Sequence, residues 1–295
     1  MRPFGAVFDS DMTHRRAVFL MLLCTLLWSM AGVVTRHLEA ARSFEMSFWR
    51  SSFNALALIV LLGAQRGLAL PGQLRTITRG VWVSALCWAA MFTAFMVALT
   101  LTSVANVLVT MALAPLLTAL FSRLFLHHRL SWQTWTAIAV GSAGMAGMFA
   151  TQMAAGGTTG MLVALVVPLA TATNYTLLQQ GAKSEDMPLA VLLGAVISAA
   201  LALPLAWPLQ AGPHDLGLLA VLGVFQLAVP CLLLVRLSRT LSAPEVALLG
   251  LMEVVFGVLW AWLGAGEAPA LATLVGGALV IGALVAKELA PGAVQ

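Results

Sequence analysis

Long apolar runs, separated by short polar stretches, fill the chain from residue 17 to residue 287. Each of ten such runs is about 20 residues long, the length that an α-helix needs to cross the hydrocarbon core of a bilayer. Backbone groups in lipid must bond internally, so continuous apolar runs of this length are helices. The pattern predicts an all-α membrane protein with ten spans, at residues 17–36, 46–64, 80–99, 103–122, 132–150, 159–180, 188–207, 215–235, 244–263 and 270–287.

Composition and charge agree with this interpretation. Hydrophobic residues make up 61% of the chain and charged residues 9%, whereas a soluble domain carries about 25% charged residues. If the N-terminus is cytoplasmic, the outer segments hold only Arg36 and Arg42, with Arg50 at the start of the second helix. The cytoplasmic segments hold Arg2, Arg15, Arg16, Arg66, Arg75, Arg79, Arg123, Arg129, Lys183, Arg236, Arg239 and Lys287. This bias predicts a multi-pass protein of the inner membrane with both termini in the cytoplasm. The basic charge lies in these loops and gives no reason to expect nucleic acid as a partner.

The ten segments form two groups of five that resemble each other. The stretch Ala41–Met46 recurs as Ala182–Met187, with basic and acidic residues at matching positions. Further on, identical residues align without gaps: Ser103 with Ser242, Val107 with Val246, Leu120 with Leu259, Leu124 with Leu263, and Thr134 with Thr273. Because five is odd, the second group starts on the opposite side of the membrane, which gives an inverted repeat. The predicted units are a cytoplasmic segment 1–16, repeats 17–152 and 153–287, and a cytoplasmic tail 288–295.

Polar residues inside the spans are the candidates for function, because burying them in lipid is costly. Glu253 is expected near the middle of the ninth helix, as a contact for a solute amine or as a proton site. An inter-helix hydrogen bond that fixes packing is an equally good interpretation. Arg50 is expected to open the second helix on the outer side. It is interpreted either as a carboxylate-binding or gate residue, or as a side chain that snorkels to the interface.

Five further residues are candidate lining groups of a solute cavity. Asn174 and Tyr175 lie inside the sixth span, and Gln226 lies in the middle of the eighth. Inter-helix hydrogen bonding explains such residues equally well. Trp28 and Trp88 lie deep enough to form a flat wall for an aromatic or amine-bearing solute, or to be ordinary packing residues.

Glycines in the last span of each group predict close helix packing. Small residues let two helix backbones approach closely in a membrane. The glycines occupy corresponding positions in the two halves. The close packing that they predict lies either within the bundle or between protomers. They are Gly141, Gly144 and Gly147 in the fifth span, and Gly276, Gly277 and Gly282 in the tenth.

Several of these positions resemble those of a known family. Leu27-Trp28-Ser29 with Arg36 is similar to the opening Trp-Gly pattern of the drug/metabolite transporter superfamily, in its EamA-like branch. Arg50 matches that family's Arg in the second helix, and Pro115 matches its fourth-helix Pro. Glu253-Val254-Val255-Phe256 and Gly266-Glu267 resemble its ninth-helix Glu-Pro-Val and terminal Gly-Glu.

The chain also departs from that family pattern. Ser29 replaces the usual Gly, Val254 replaces the usual Pro, and His127-His128 stands where the first half would carry Gly-Glu. The resemblance covers residues 17–287. It implies ten helices, cytoplasmic termini, a central cavity between the halves, and export of small metabolites.

Three functions compete at this point. The first is a secondary transporter that exports small metabolites such as amino acids or related amines by alternating access. The second is a membrane enzyme, which the sequence disfavours because no nucleophile–base pair or ligand spacing accompanies His127-His128. The third is a non-transporting sensor or scaffold, and a drug or metabolite importer is a variant of the first. No cofactor or metal is expected. The expected partners are a small-molecule solute and the lipid bilayer, with the chain as a monomer or homodimer.

Overall fold

A computed structural model describes residues 12–35, 37–41, 43–67, 72–73, 77–102, 104–149, 158–181, 186–265 and 270–289. Within these ranges the regular structure is helical, and they contain no strand. Several residues named above lie outside them: Arg2, Arg36, Arg42, Arg75, Ser103, Ala182, Lys183, Gly266, Glu267 and most of the tail 288–295.

Apolar sequence forms helices along the described ranges. The first half contains α1 His14–Ser29, α2 Ala31–Thr35, α3 Ser43–Arg66, α4 Arg79–Leu101, α5 Val104–Met111, α6 Ala114–Phe125 and α7 Trp132–Phe149. The second half contains α8 Thr158–Gln180, α9 Met187–Ala206, α10 Pro213–Val221, a π-helical segment Leu222–Ala228, α11 Val229–Leu237, α12 Ala243–Gly250, α13 Met252–Ala265 and α14 Leu271–Leu289.

Seven helical stretches in the described ranges are long and apolar enough to cross a membrane. They are His14–Thr35, Phe44–Arg66, Arg79–Ala98, Thr158–Gln180, Met187–Ala206, Pro213–Leu237 and Ala243–Trp260. Val109–Phe125 and Leu271–Lys287 are shorter apolar helices. The prediction of an all-α membrane protein is therefore confirmed at the level of a helical protein with several candidate spans.

Four of the predicted spans are interrupted, which the apolar pattern did not show. The first breaks at Met30, and the eighth contains the π-helical segment Leu222–Ala228. The fourth breaks at Ala112, whose amide bonds to Val109 O at 3.2 Å. The ninth breaks at Leu251, whose amide bonds to Leu248 O at 3.1 Å. These i to i−3 bonds tighten the backbone, so the breaks at Ala112 and Leu251 are single tight turns.

The break at Leu251 corrects the expected position of Glu253. This residue does not lie in the middle of a continuous helix. It is the second residue of α13, in the first turn after the break.

The helices pack in two groups, and each group contains helices from both halves of the chain. In one, α1 packs against α11, α12 and α13; in the other, α8 packs against α4, α5 and α6. The helix α9 lies against both α3 and α4, and α3 also packs against the π-helical segment. The pair α7 and α14 packs along its length.

Close packing of α7 on α14 centres on one glycine. A Cβ atom at Gly144 would lie 2.8 Å from Gly276 O and 2.9 Å from Leu279 Cβ. No such atom could be accommodated without moving the backbone, so Gly144 is needed for this contact. Gly147 and Gly277 differ, since a Cβ atom at either would meet nothing within 4 Å.

Two carboxylates hold loops at the end of the bundle where α3 and α10 begin. Buried Asp215 accepts hydrogen bonds of 2.9 Å from the amides of Glu39, Ala40 and Ala41. In return, Glu45 Oε1 on α3 accepts hydrogen bonds of 2.7 Å from the amides at positions 210 and 211, just before α10. Each helix therefore carries the acid that fixes the loop leading into the other.

Candidate functional site

The break at the end of α1 places Trp28 against the π-helical segment. Gln226 Nε2 donates a 3.4 Å hydrogen bond to the Trp28 carbonyl oxygen. The Trp28 side chain also lies near the Cys231 sulfur on α11. A π-helical turn shifts the register of a helix by one residue and often marks a functional position. Here it places Gln226 towards the end of α1.

Arg50 lies inside the bundle rather than at its edge. The helix α3 begins at Ser43, so Arg50 is two turns into the helix and does not open it, which corrects the expectation from the sequence. Its side chain is only 5% exposed, and its Nη2 atom donates a 3.3 Å hydrogen bond to Phe92 O on α4. A snorkelling arginine would instead extend to the interface.

Glu253 and Arg50 belong to one electrostatic neighbourhood in the core. Each carries a Coulombic interaction with the other, although no ion pair within 4.0 Å joins them in the described structure. Tyr175 on α8 and Cys231 on α11 also lie close to Glu253. Groups from α3, α8, α11 and α13 therefore converge on one region.

Trp88 and Asn174 lie to one side of this region. Trp88 is buried and packs on Phe92 with ring centroids 5.6 Å apart, so it contacts the residue whose carbonyl binds Arg50. Asn174 Oδ1 accepts a 2.6 Å hydrogen bond from Ser84 Oγ, which ties α8 to α4. For Asn174, the sequence left two interpretations open, cavity lining and inter-helix hydrogen bonding, and this bond is of the second kind.

Several polar atoms of these residues are buried without a partner. They include Arg50 Nε, Gln226 Oε1, Trp88 Nε1 and Asn174 Nδ2. Buried polar groups in proteins are almost always hydrogen-bonded to protein, water or ligand. The described atoms thus supply an unused donor on Arg50 and an unused acceptor on Gln226.

One contact of this region was not anticipated from the sequence. Trp260 Nε1 donates a 3.1 Å hydrogen bond to Ser29 Oγ, at the break that follows Trp28. Trp260 follows Glu253 by seven residues, so both lie on one face of α13. That helix face packs on α1 and α2. The seven-residue spacing from Glu253 could have indicated Trp260 in the sequence, but Trp260 there resembles an ordinary interfacial tryptophan.

Metal binding receives no support from the described side chains. In the described ranges, no group of three or more His, Cys, Asp or Glu side chains has an arrangement that could hold a metal ion. The polar side chains described in the core can form ionic and hydrogen-bonding contacts.

Comparison with known proteins identifies the family. The sequence profile of the EamA-like transporter family matches residues 15–150 and 158–286. The chain belongs to the EamA-like transporter family. This assignment confirms the resemblance seen in the sequence, and it places the chain among multi-pass membrane transporters rather than enzymes.

Two relatives extend the comparison. The chain is 26% identical over 282 residues to the pseudopaline exporter CntI of Pseudomonas aeruginosa (strain UCBPP-PA14), covering 92% of this chain and 95% of that protein. A protein of known crystal structure superposes with a TM-score of 0.81 at 20% identity, covering 93% of this chain and 97% of that one. The latter similarity concerns the fold alone.

Proposed function

We propose that this EamA-family protein is an inner-membrane secondary transporter that exports small metabolites, such as amino acids or related amines, by alternating access. The observation that carries the proposal is the convergence of Arg50 and Glu253 in the core without a direct ion pair. Arg50 is buried and Glu253 is partly buried, and removing opposite charges from water is expensive unless each finds partners. A solute with a carboxylate and an amine would supply partners for both.

The chemistry of the neighbouring groups supports this class of solute. A guanidinium binds a carboxylate through two parallel hydrogen bonds, and Arg50 Nε has no partner in the described structure. The Glu253 carboxylate would accept from an ammonium group, with the unpaired Gln226 Oε1 as a second acceptor. Trp28 and Tyr175 supply aromatic surface, which also attracts cations.

Packing between the halves supports ten spans in two inverted repeats. If each span is paired with the one five later, the contact of α8 with α6 corresponds to that of α1 with α13. Likewise α8 with α5 corresponds to α1 with α12, and α4 with α9 corresponds to the packing of α3 on the π-helical segment. Matched contacts of this kind are expected from a two-fold axis in the membrane plane.

The helix breaks support the same repeat. Ala112 and Leu251 interrupt the fourth and ninth segments. They are 139 residues apart, the same separation as the aligned pair Val107 and Val246. Transporters with inverted repeats place discontinuous helices at corresponding positions of both halves, near the solute site. Glu253 follows one of these breaks.

Export and the inner membrane are proposed on two grounds. The relative CntI is named a pseudopaline exporter. Most of the Arg and Lys residues lie at one end of the predicted topology, which favours cytoplasmic termini.

Uptake into inverted membrane vesicles tests the function. Vesicles that contain the protein should accumulate at least one radiolabelled compound from a panel of amino acids, polyamines and aromatic amines faster than vesicles without it. Export from the cell corresponds to uptake into inverted vesicles. Accumulation only in right-side-out vesicles would indicate an importer, and failure with every compound of the panel in both orientations would contradict the proposed solute class.

A further inference from the structure

Among the contacts that join the two packing groups, the one between α6 and α12 has no counterpart in the described residues when the two halves are exchanged. The helix α6 packs against α12. Under the exchange of halves that relates the other contacts, α6 corresponds to α13 and α12 corresponds to α5. The matching contact is therefore α5 against α13, and no comparable packing joins these two in the described residues.

A second contact breaks the correspondence in the same direction. The helix α12 also packs against α8. Its counterpart would join α5 to the first segment, α1 and α2, and the described parts of these helices show no comparable packing. Both of these contacts between the two packing groups involve α12, and both lie at the same end of the bundle. The packing of α5 on α7, which also has no comparable counterpart among the described residues, does not join the two groups. That end contains the C-terminal parts of α6 and α8.

The sidedness of this end follows from the proposed topology. With cytoplasmic termini, the C-terminal ends of α6 and α8 and the start of α12 face the cytoplasm. We infer that the protein is more tightly closed at its cytoplasmic end than at its outer end, and that Gln179 is the latch that holds the cytoplasmic end closed. The inference rests on the alternating-access mechanism proposed above, but not on the identity of the solute.

The latch is a hydrogen bond between α8 and α12. Gln179 Oε1, on the last turn of α8, accepts a 2.9 Å hydrogen bond from the amide of Ala243, the first residue of α12. That amide is one of the N–H groups at a helix start that have no intrahelical acceptor. Gln179 therefore satisfies a donor that only another part of the protein, or water, could satisfy.

The other polar contacts described at the start of α12 do not involve α8. Glu245 forms a capping box with Ser242. Its Oε1 atom pairs with His14 Nε2, at the start of α1, over 3.2 Å, and with Lys287 Nζ on α14. Since α1 and α12 belong to one packing group, the ion pair between Glu245 and His14 can persist while α12 moves away from α8. The Gln179 bond crosses to the opposite group, and the other hydrogen bond described at this end that does so, from Ser238 Oγ to Leu178 O, is long at 3.5 Å.

Two substitutions of Gln179 should shift the gate in opposite directions. Gln179→Leu removes the acceptor, so the open cytoplasmic state should gain about two- to tenfold in population relative to the closed state. Gln179→Glu keeps an acceptor and places negative charge at a helix N-terminus, which is favourable. This variant should therefore keep the cytoplasmic end closed at least as firmly as the parent.

Distances between spin labels measure these populations directly. Labels on Gln180→Cys and Arg239→Cys report the gap between α8 and the loop before α12, because both positions are exposed. The native Cys24, Cys87 and Cys231 are buried and leave the label to the two introduced sites. Electron–electron double resonance on detergent-purified protein yields the distance distribution without any solute.

The expected result is a single short distance in the parent and in Gln179→Glu, and an additional longer distance in Gln179→Leu. The control is Gln133→Leu, which removes an exposed glutamine at the start of α7 and should leave the distribution unchanged. Identical distributions in all four proteins, each eluting as the folded species, would overturn the latch. A long distance in the parent would overturn the inferred closed state. Because no transport is measured, failure here is distinct from failure of the proposed function.

Discussion

The Trp260 indole on α13 donates a 3.1 Å hydrogen bond to the Ser29 hydroxyl at the end of α1. This bond joins the helix that carries Glu253 to the helix end that carries Trp28. Ser29 Oγ in turn donates to Leu26 O at 2.7 Å, so the hydroxyl is held in place by its own helix. The arrangement fixes the distance between two walls of the candidate site.

Removing either partner of this bond should destabilise the protein slightly. Hydrogen bonds between membrane helices contribute on average about 0.6 kcal/mol, so Trp260→Phe and Ser29→Ala should each cost about 0.5–1.5 kcal/mol. The double variant should cost about as much as one single variant, because the two act on one bond. Thermal unfolding in detergent measures this, with Trp262→Phe as a control at an exposed tryptophan. Fully additive losses would show that the bond contributes nothing.

The contact of α7 with α14 should tolerate no side chain at Gly144. Gly144→Ala places a methyl group within 3 Å of the Gly276 carbonyl and should cost about 1–3 kcal/mol of stability. Gly147→Ala on the same helix enters open space, and Ala is the better helix former there. It should be neutral or slightly stabilising. Equal melting temperatures for both variants would refute the close packing.

The loop that precedes α3 depends on Asp215. Asp215→Ala leaves three backbone amides without their acceptor and should cost about 2–4 kcal/mol in the free energy of unfolding. Asp215→Asn retains one acceptor oxygen and should fall between this variant and the parent. Glu39→Gln, in the same loop but largely exposed, should change stability by less than about 0.5 kcal/mol. The comparison is made by chemical unfolding in detergent. A loss no larger in Asp215→Ala than in Glu39→Gln would contradict the role of Asp215.

Burial in lipid made the helices predictable, and the same property concealed their interruptions. Residues on either side of Leu251 are apolar whether the helix continues or turns, so the sequence placed Glu253 in an unbroken helix. The role of Asp215 was missed for a different reason. Its partners are backbone amides that lie 174 to 176 residues earlier in the chain, and main-chain donors leave no trace in side-chain chemistry.

The residues of the candidate site were also predicted only in part. Trp28, Arg50, Tyr175, Gln226 and Glu253 were selected because polar or aromatic groups inside spans need a reason to be there. The sequence could not assign their neighbours, since Cys231 and Phe92 resemble any packing residues. Arg50 looked peripheral because α3 begins earlier than its hydropathy indicates.

The inverted repeat predicts opposite locations for two chain positions. A reporter domain fused after Gln295 should lie in the cytoplasm, and one inserted near Gly156 should lie on the outer side, because five predicted spans lie between these two positions. Protease protection in inverted vesicles distinguishes these locations. Finding both reporters on the same side would refute ten spans in two inverted repeats.

The central claim is that Glu253 and Arg50 together bind the transported solute. Its most direct measurement is the initial rate of uptake of the identified solute into inverted vesicles by the parent and by Glu253→Gln, across a range of pH. The substitution is nearly isosteric and removes the charge that would bind an amine, so the fold should persist while the apparent affinity falls by at least tenfold or the pH dependence changes. Transport by Glu253→Gln that matches the parent in affinity and rate at every pH would contradict the claim.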